Sequence, residues 1–478
     1  MSTTLVPTPT SHLRFGVARA DITPPVGMYH PMWGAARHHQ ATGIHRPLTG
    51  EAMAFAPLSG GKPLLRIQLD HIGLEAAQQQ TLLERASQAS GVDSGRIIIT
   101  HSHSHAAGNT SPDRIHFPGG DMIEPYLQEL YEKMAQTTGE AIANLQETVI
   151  TYAHGRCNMA ANRDYWDDTN GIFACGYNPD APADDTVLVA RMSDLSGKIT
   201  AVLVNYACHP TNLAWENTLI SPDYVGAMRE VVEQATGATC VFALGMCGEL
   251  GGVRGHQGST TVADANGLQL GYAALSALAS MNAAATDFAY AGPVVSGATL
   301  GTWKSQPFTE EHAARAQIFT GDTYTVHLQQ KPRPTVEALE AEVEDWMTQQ
   351  HEADQRGDVI AARNFGARAE RARRWISRVT RLPAADTYPF HFTIHRFGDA
   401  LWITTGGEPY NLLQTELRRR FPQFSIVVSP LAGDMPVAYL LPKELYGKGL
   451  YQEEPSILAA GCLERLIDAI AEQIELLI

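Results

Sequence analysis

Arg96-Ile97-Ile98-Ile99-Thr100-His101-Ser102-His103-Ser104-His105-Ala106-Ala107-Gly108 is the stretch from which the rest of the chain is best read. Three consecutive β-branched isoleucines make residues 96–100 a short buried strand, and it runs directly into three histidines at alternate positions. On an extended chain, side chains i and i+2 share a face, so two of these imidazoles can converge on one metal ion. A polar loop rich in histidine is the competing reading of any one of them. An H-x-H placed straight after a buried strand favours the metal.

Working outward, residues 51–58 and 63–70 read as a pair of strands before a helix at 75–89, with a further strand at 14–20 ahead of the turn Asp21-Ile22-Thr23-Pro24-Pro25. Residues 28–45 carry Gly, His and aromatics without period, a surface loop of the kind that holds function. An amphipathic helix is expected at 124–145 and a hairpin at 186–193 and 199–206. Ser221-Pro222-Asp223 opens a helix, Ser221 as cap, that stops at Gly237 before a strand at 239–244. Two more strands fall at 390–395 and 401–405, followed by a helix to Arg420, a strand at 426–429 and a closing helix at 456–477. This mixture of hairpins and strand–helix alternation predicts an α/β fold, mixed α+β, with mixed sheets and flanking helices in one domain, 1–478. The charged segment 335–379, broken at Gly357-Asp358, reads as an inserted helical hairpin. A solvated excursion is its plain reading. A lid or homo-oligomer contact is the alternative, suggested by Trp346, Met347, Trp375 and Ile376.

With 35 basic and 51 acidic residues the net charge is −16, which repels phosphate backbones and anionic membrane surfaces, so no nucleic-acid partner is expected. Six cysteines without a C-x-x-C pair suit a reducing compartment. The polar N-terminus shows no secretion-signal pattern and no apolar run is long enough to span a bilayer, so the expected location is cytoplasmic.

Two further features carry chemistry. His209 in Asn205-Tyr206-Ala207-Cys208-His209-Pro210-Thr211 sits at a strand end, where it is a ligand candidate or a turn histidine. Glu408 in Gly406-Gly407-Glu408-Pro409 lies at a strand-to-helix junction, where its bland role is to face a helix dipole. The metallo-β-lactamase pattern H-x-H-x-D-H is not met, because His105 and Ala106 occupy its fifth and sixth positions. The amidohydrolase-barrel pattern would place H-x-H on the first strand.

Taken together, Ile99-Thr100-His101-Ser102-His103-Ser104, the His209 motif, the run from Phe242 to Glu249 and Gly407-Glu408-Pro409 stand in the order of the neutral/alkaline ceramidase catalytic domain, which the chain resembles. Arg19-Ala20-Asp21-Ile22-Thr23, Thr42-Gly43-Ile44-His45, Asn162-Arg163, and Tyr439, Tyr446 and Tyr451 extend the resemblance over nearly the whole length. It implies a Zn2+ site of His101, His209, Glu408 and Tyr439, and attack on a linear amide by zinc-bound water. It also implies His103 beside the metal as proton shuttle, and Arg163 and Tyr451 near the reacting carbonyl. An ion pair for Arg163 and a core position for Tyr451 are the bland alternatives.

The departures are informative. Where the family has G-D-x-S-P-N, this chain reads Gly248-Glu249-Leu250-Gly251-Gly252-Val253, and Gly251 has no hydroxyl to form an acyl-serine. His105 stands where the family has glycine, as a polar contact or a ligand to a second metal. Gly433-Asp434-Met435-Pro436 differs from the family's Asn-rich tyrosine loop, and the expectation is a catalytic domain without the family's immunoglobulin-like C-terminal domain. The expected substrate is a small amide or lipid amide, either ceramide, which would place the chain in sphingolipid metabolism, or a soluble N-acyl amide. Ester hydrolysis on the same scaffold and a non-catalytic metal- or ligand-binding protein are the competing functions.

Overall fold

The computed structural model describes residues 4–433 and 436–478. Asp434 and Met435, from the departing tyrosine loop, lie outside the described residues. The centre is an eight-stranded sheet in the order Thr239–Leu244, Ile199–Tyr206, Thr186–Ser193, Gln146–Arg156, Thr10–Asp21, Thr49–Ala56, Leu64–Leu69, Ile97–His101. Its inner pairs are antiparallel and the pair at each edge is parallel. Parallel neighbours need a crossover, and helices Ala76–Ser90 and Tyr224–Thr236 supply one at each edge. The sheet curls until its edge strands approach each other. Residues following the two parallel pairs can therefore meet.

A second sheet orders Phe319–Gln329, Thr387–Phe397, Ala400–Thr405 and Ser425–Ser429. Alternate side chains of both sheets fill one shared core, where Phe55 packs against Phe397 and Trp402, each at 5.2 Å between ring centroids. Buried Trp402 keeps its indole N–H satisfied by donating to the Tyr152 hydroxyl at 3.2 Å. Asn205 ties the sheets further, donating to the carbonyls of Ala243 and Val428 at 2.9 and 2.8 Å. On the other face of the second sheet the amphipathic helix Cys462–Leu477 buries Leu463, Leu466, Ile470 and Ile474.

The fold is mixed α+β with mixed sheets, as the alternation of elements implies. The 186–206 hairpin forms with a one-residue bulge at Met192/Ser193, its turn held by the Asp194 carboxylate accepting from Ser196 and Lys198 N–H. The third helix begins two residues later than expected. Asp223, at φ 56, caps it by accepting from Tyr224 N–H at 2.7 Å, while Ser221 accepts from Asp223 N–H. Helices Val336–Gln355 and Val359–Val379 fill the 335–379 segment, separated by Gly357 at φ 74.

The sequence reading assigns nothing between 253 and 334, where the structure has helix Thr260–Ala279 and the long hairpin Thr286–Ser296/Ala298–Pro307. The helix is rich in Ala and Gly on every side and shows little contrast between faces. The hairpin exposes Val294, Val295 and Leu300, so its apolar residues follow no core-facing alternation. Among the described residues no helix is long and apolar enough to cross a membrane.

Candidate metal centre and its cavity

Strand Ile97–His101 ends sooner than an H-x-H pair needs. His101 is its last residue and lies opposite Leu69 in the parallel register. His103 then takes φ 65, a left-handed turn that is unusual for a residue with a side chain. The two-residue alternation stops there, and His101 and His103 part company. His101 points inward, its Nδ1 3.1 Å from the Leu431 carbonyl and its ring 6.4 Å from that of His71. Burial pushes its pKa down to about 3. The expectation that His101 joins His209 and Glu408 is therefore corrected: His103 occupies that place.

The backbone after Leu69 receives His103. Its N–H donates to His71 O at 2.9 Å, and its Nδ1 lies 2.8 Å from Ile72 O. Those carbonyls are fixed by their neighbour Asp70, whose carboxylate takes two hydrogen bonds from buried Arg229, at 2.9 and 3.1 Å, and one from Thr49 N–H at 3.0 Å. His209, beyond the end of strand Ile199–Tyr206, is held by the glycine turn: its Nδ1 lies 2.6 Å from Cys247 O and 3.1 Å from Leu250 O. Each imidazole is thus anchored through Nδ1 and turns Nε2 inward.

Both Nε2 atoms meet one carboxylate oxygen of Glu408, His209 at 2.8 Å and His103 at 3.4 Å. The ligand atoms of the three all lie within 4.8 Å of one another, a group able to hold a metal ion. Glu408 arrives on a strand end made tight by glycine. Gly407 has φ 62, and a Cβ there would come 2.7 Å from Ala438 O. Glu408 and Tyr439 then face each other across a short parallel pairing, with Glu408 N–H donating to Ala438 O at 2.7 Å.

The Tyr439 hydroxyl accepts from Arg163 Nη2 at 3.2 Å. The same Nη2 donates to Gly248 O at 2.7 Å and lies 3.4 Å from His209 Nε2, so Arg163 sits within the cluster rather than in a surface ion pair. Burial alone would push Glu408 up, but the imidazoles of His103 and His209 outweigh it and hold its carboxyl well below the usual range. Burial sets His209 down to about 4 and raises Tyr439 well above an ordinary phenol, helped by the charge of Glu408. Arg163 is held charged against its burial by the nearby Cys175, Tyr439 and Glu408.

His105 stands where His103 was expected, beside the cluster. Its ring is 4.8 Å from that of His103 and 6.4 Å from that of His209, and neither of its buried nitrogens has a hydrogen-bond partner. Burial drives its pKa far down, with the neighbouring histidines adding to the effect. Tyr451 is no core aromatic: half of its surface is exposed, it lines the cavity, and its ring is 5.8 Å from Tyr439's. Tyr446, by contrast, donates to Leu458 O and packs against the core of the second sheet. The structure thus brings together His103, His209, Glu408, Tyr439 and Arg163, with His105 and Tyr451 at the edge, and leaves His101 out.

The cluster opens into a cavity of about 890 Å³. Met32, Trp33, Trp215 and His256 line one side, and Trp33 packs edge-on to both Trp215 and His256. Helix Val359–Val379 also lines the cavity, contributing Ala367, Glu370, Arg374, Trp375 and Arg378. The hairpin is fastened to the 28–45 loop, since Arg374 donates to Met32 O at 3.0 Å and Arg37 to Val359 O at 2.9 Å. It is therefore a wall of the site rather than a solvated excursion. Function in the 28–45 loop was legible from its composition. The helix wall was not, because its cavity-facing arginines read as a solvated face.

Known proteins resemble this chain in sequence and in fold. The family described as neutral/alkaline non-lysosomal ceramidase, N-terminal, matches residues 13–250. The neutral ceramidase of Pseudomonas aeruginosa is 23% identical over 219 residues, 45% of this chain but only 32% of that protein's length. The crystal structure of neutral ceramidase from Pseudomonas aeruginosa superposes with a TM-score of 0.66 at 15% identity, covering 98% of this chain and 75% of that one. A ceramidase complexed with C2 gives 0.64 at 16% identity over 98% and 76%. At that identity the structures show the shared fold alone. The family match supplies the rest: the chain belongs to the neutral/alkaline ceramidase family, whose N-terminal domain it carries.

Proposed function

We propose that the chain is a zinc-dependent hydrolase of linear N-acyl amide bonds. The observation that carries this reading is the convergence of His103 Nε2 and His209 Nε2 on one oxygen of Glu408, with both Nδ1 atoms anchored on backbone carbonyls. Metal-binding histidines show this arrangement, the outer nitrogen fixed so that the inner one keeps its lone pair forward. Two imidazoles, a carboxylate and the Tyr439 phenol match the donor preferences of zinc. Bound there, the ion would polarise an amide carbonyl and make a water molecule more acidic.

The chain's own groups do the remaining work. Arg163, charged and buried, points Nη2 into the cluster and stabilises negative charge on the carbonyl oxygen, with Tyr451 on the open side. His105, beside His103 and with both ring nitrogens unpartnered, is placed to relay a proton from the attacking water to the leaving nitrogen. Gly251, bridged to His209, has no side chain to carry an acyl group, so hydrolysis proceeds without an acyl-serine at that position. The apolar wall of Met32, Trp33 and Trp215 accepts the acyl chain and keeps bulk water out.

The test is hydrolysis of a panel of N-acyl amides of increasing chain length, with and without chelator and with zinc restored. Metal-dependent release of free amine supports the reading. Hydrolysis of the matching esters alone, or of nothing in zinc-loaded protein, would reject it.

A further inference from the structure

The cavity carries a charge pattern that amide hydrolysis itself does not use. In a protein of net charge −16, this cavity is lined by Arg163, Lys331, Arg371, Arg374 and Arg378 against only three carboxylates. Those carboxylates are occupied. Glu370 accepts from Arg114 at 2.6 and 3.1 Å and from Arg374 at 2.9 Å. Glu454 accepts from the Trp375 indole at 2.8 Å, with Arg371 at 3.6 Å, and both oxygens of Glu453 take the Gly447 N–H. Arg371 is also paired with Glu342 at 2.9 Å.

Two cations are left without such a partner. Arg378 lies with its guanidinium 5.2 Å over the Trp375 ring and, among the described residues, has no carboxylate within ion-pair distance. Among the described residues Lys331 donates only to the backbone carbonyl of Glu453, at 2.6 Å. Both are partly buried, and burial depresses the pKa of each. Glu454 offsets that burial for both without a direct ion pair, and a half-buried cation facing a cavity with no carboxylate in contact gains from an anion brought in by the ligand.

We infer that the cavity takes an amphiphilic anion, its apolar end along Met32, Trp33 and Trp215 and its oxyanion on Arg378 and Lys331. If the chain is the amidase proposed above, on which this substrate assignment rests, the substrate is an N-acyl amide bearing a carboxylate or phosphate, not a neutral lipid amide. The site then discriminates by leaving two half-buried cations unpaired against a neutral competitor, a penalty as useful as the attraction itself.

The test uses inert probes that contain no amide, so it is independent of the amidase reading. Octanoate, octyl phosphate and octanol are titrated calorimetrically into the full chain and into Arg378→Gln and Lys331→Gln. The expected result is that an anionic probe binds about 10-fold or more tighter than octanol, and that each variant removes most of that ratio. The carboxylate-to-phosphate ratio identifies which oxyanion the site prefers. Should Arg378→Gln fail to fold, Arg378→Met and Lys331→Gln read the same ratio. Equal affinity for all three probes, no binding of any, or an anion preference untouched by both positions would overturn the inference. An anion preference in a protein that cleaves no amide would reject the proposed chemistry and leave this assignment standing.

Discussion

His103 and His209 reach the site from the two parallel edges of one curled sheet, yet their rings lie 5.2 Å apart and both present Nε2 to the same Glu408 oxygen. Neither position is set by its own strand. His103 depends on carbonyls following Leu69, and His209 on the glycine turn at 245–252. The metal centre is therefore a meeting of three backbone segments, and it should fail when any one of them is loosened.

Asp70 offers the cleanest way to loosen one without touching a ligand. Its carboxylate neutralises buried Arg229 and fixes the backbone that receives His103. Asp70→Asn removes the charge with little change in shape, and among the described residues leaves Glu51, at 3.7 Å, as the one carboxylate near Arg229. Stability should fall by about 3 kcal/mol in chemical denaturation, and zinc should bind about 10-fold more weakly in competition with a chelator. Unchanged affinity would detach Asp70 from the site.

His105 should separate binding from turnover. His105→Gln keeps a polar side chain of similar length but cannot carry a proton, and kcat should fall by about 100-fold or more with zinc content intact. Loss of zinc in this variant would make His105 a ligand instead.

Glu249 ties the site to pH. Partly buried beside Asp164, with both oxygens accepting from Asn411 N–H, its carboxyl is pushed up by that burial from 4.5 to about 8. The folded protein then keeps this proton between those two pH values, while the unfolded chain gives it up. Stability from this group is full below pH 4.5 and declines as pH rises towards 8, by at most about 1.4 kcal/mol per unit. In Glu249→Gln the decline is absent, so the Tm of the variant should gain on wild type from pH 5 to 8 and then level off. A gap independent of pH would contradict the assignment.

Much of this was legible before any coordinates. The Ile-Ile-Ile strand, the 186–206 hairpin and the helices at 335–379 are written in local pattern, and the order of the His, His, Glu and Tyr motifs points to the family. The choice among His101, His103 and His105 was not legible, because it turns on where a strand stops. The i, i+2 rule holds only while the chain stays extended, and φ 65 at His103 ends it. The third histidine, in the same two-residue spacing, was the available sign that the pair could begin at His103. The cationic wall was hidden for a different reason. Arginines at helical spacing look alike whether they face water or a cavity, and only the packing of helix Val359–Val379 against the 28–45 loop decides.

The central claim is that His103, and not His101, joins His209 and Glu408 on a metal. Elemental analysis of protein purified without chelator tests it most directly, on wild type and on His101→Ala, His103→Ala and His209→Ala, each checked for folding by thermal unfolding. The account predicts about one zinc per chain in wild type and His101→Ala, and loss of zinc in His103→Ala and His209→Ala. Zinc lost with His101 but kept without His103, or no metal in any of the four, would contradict it.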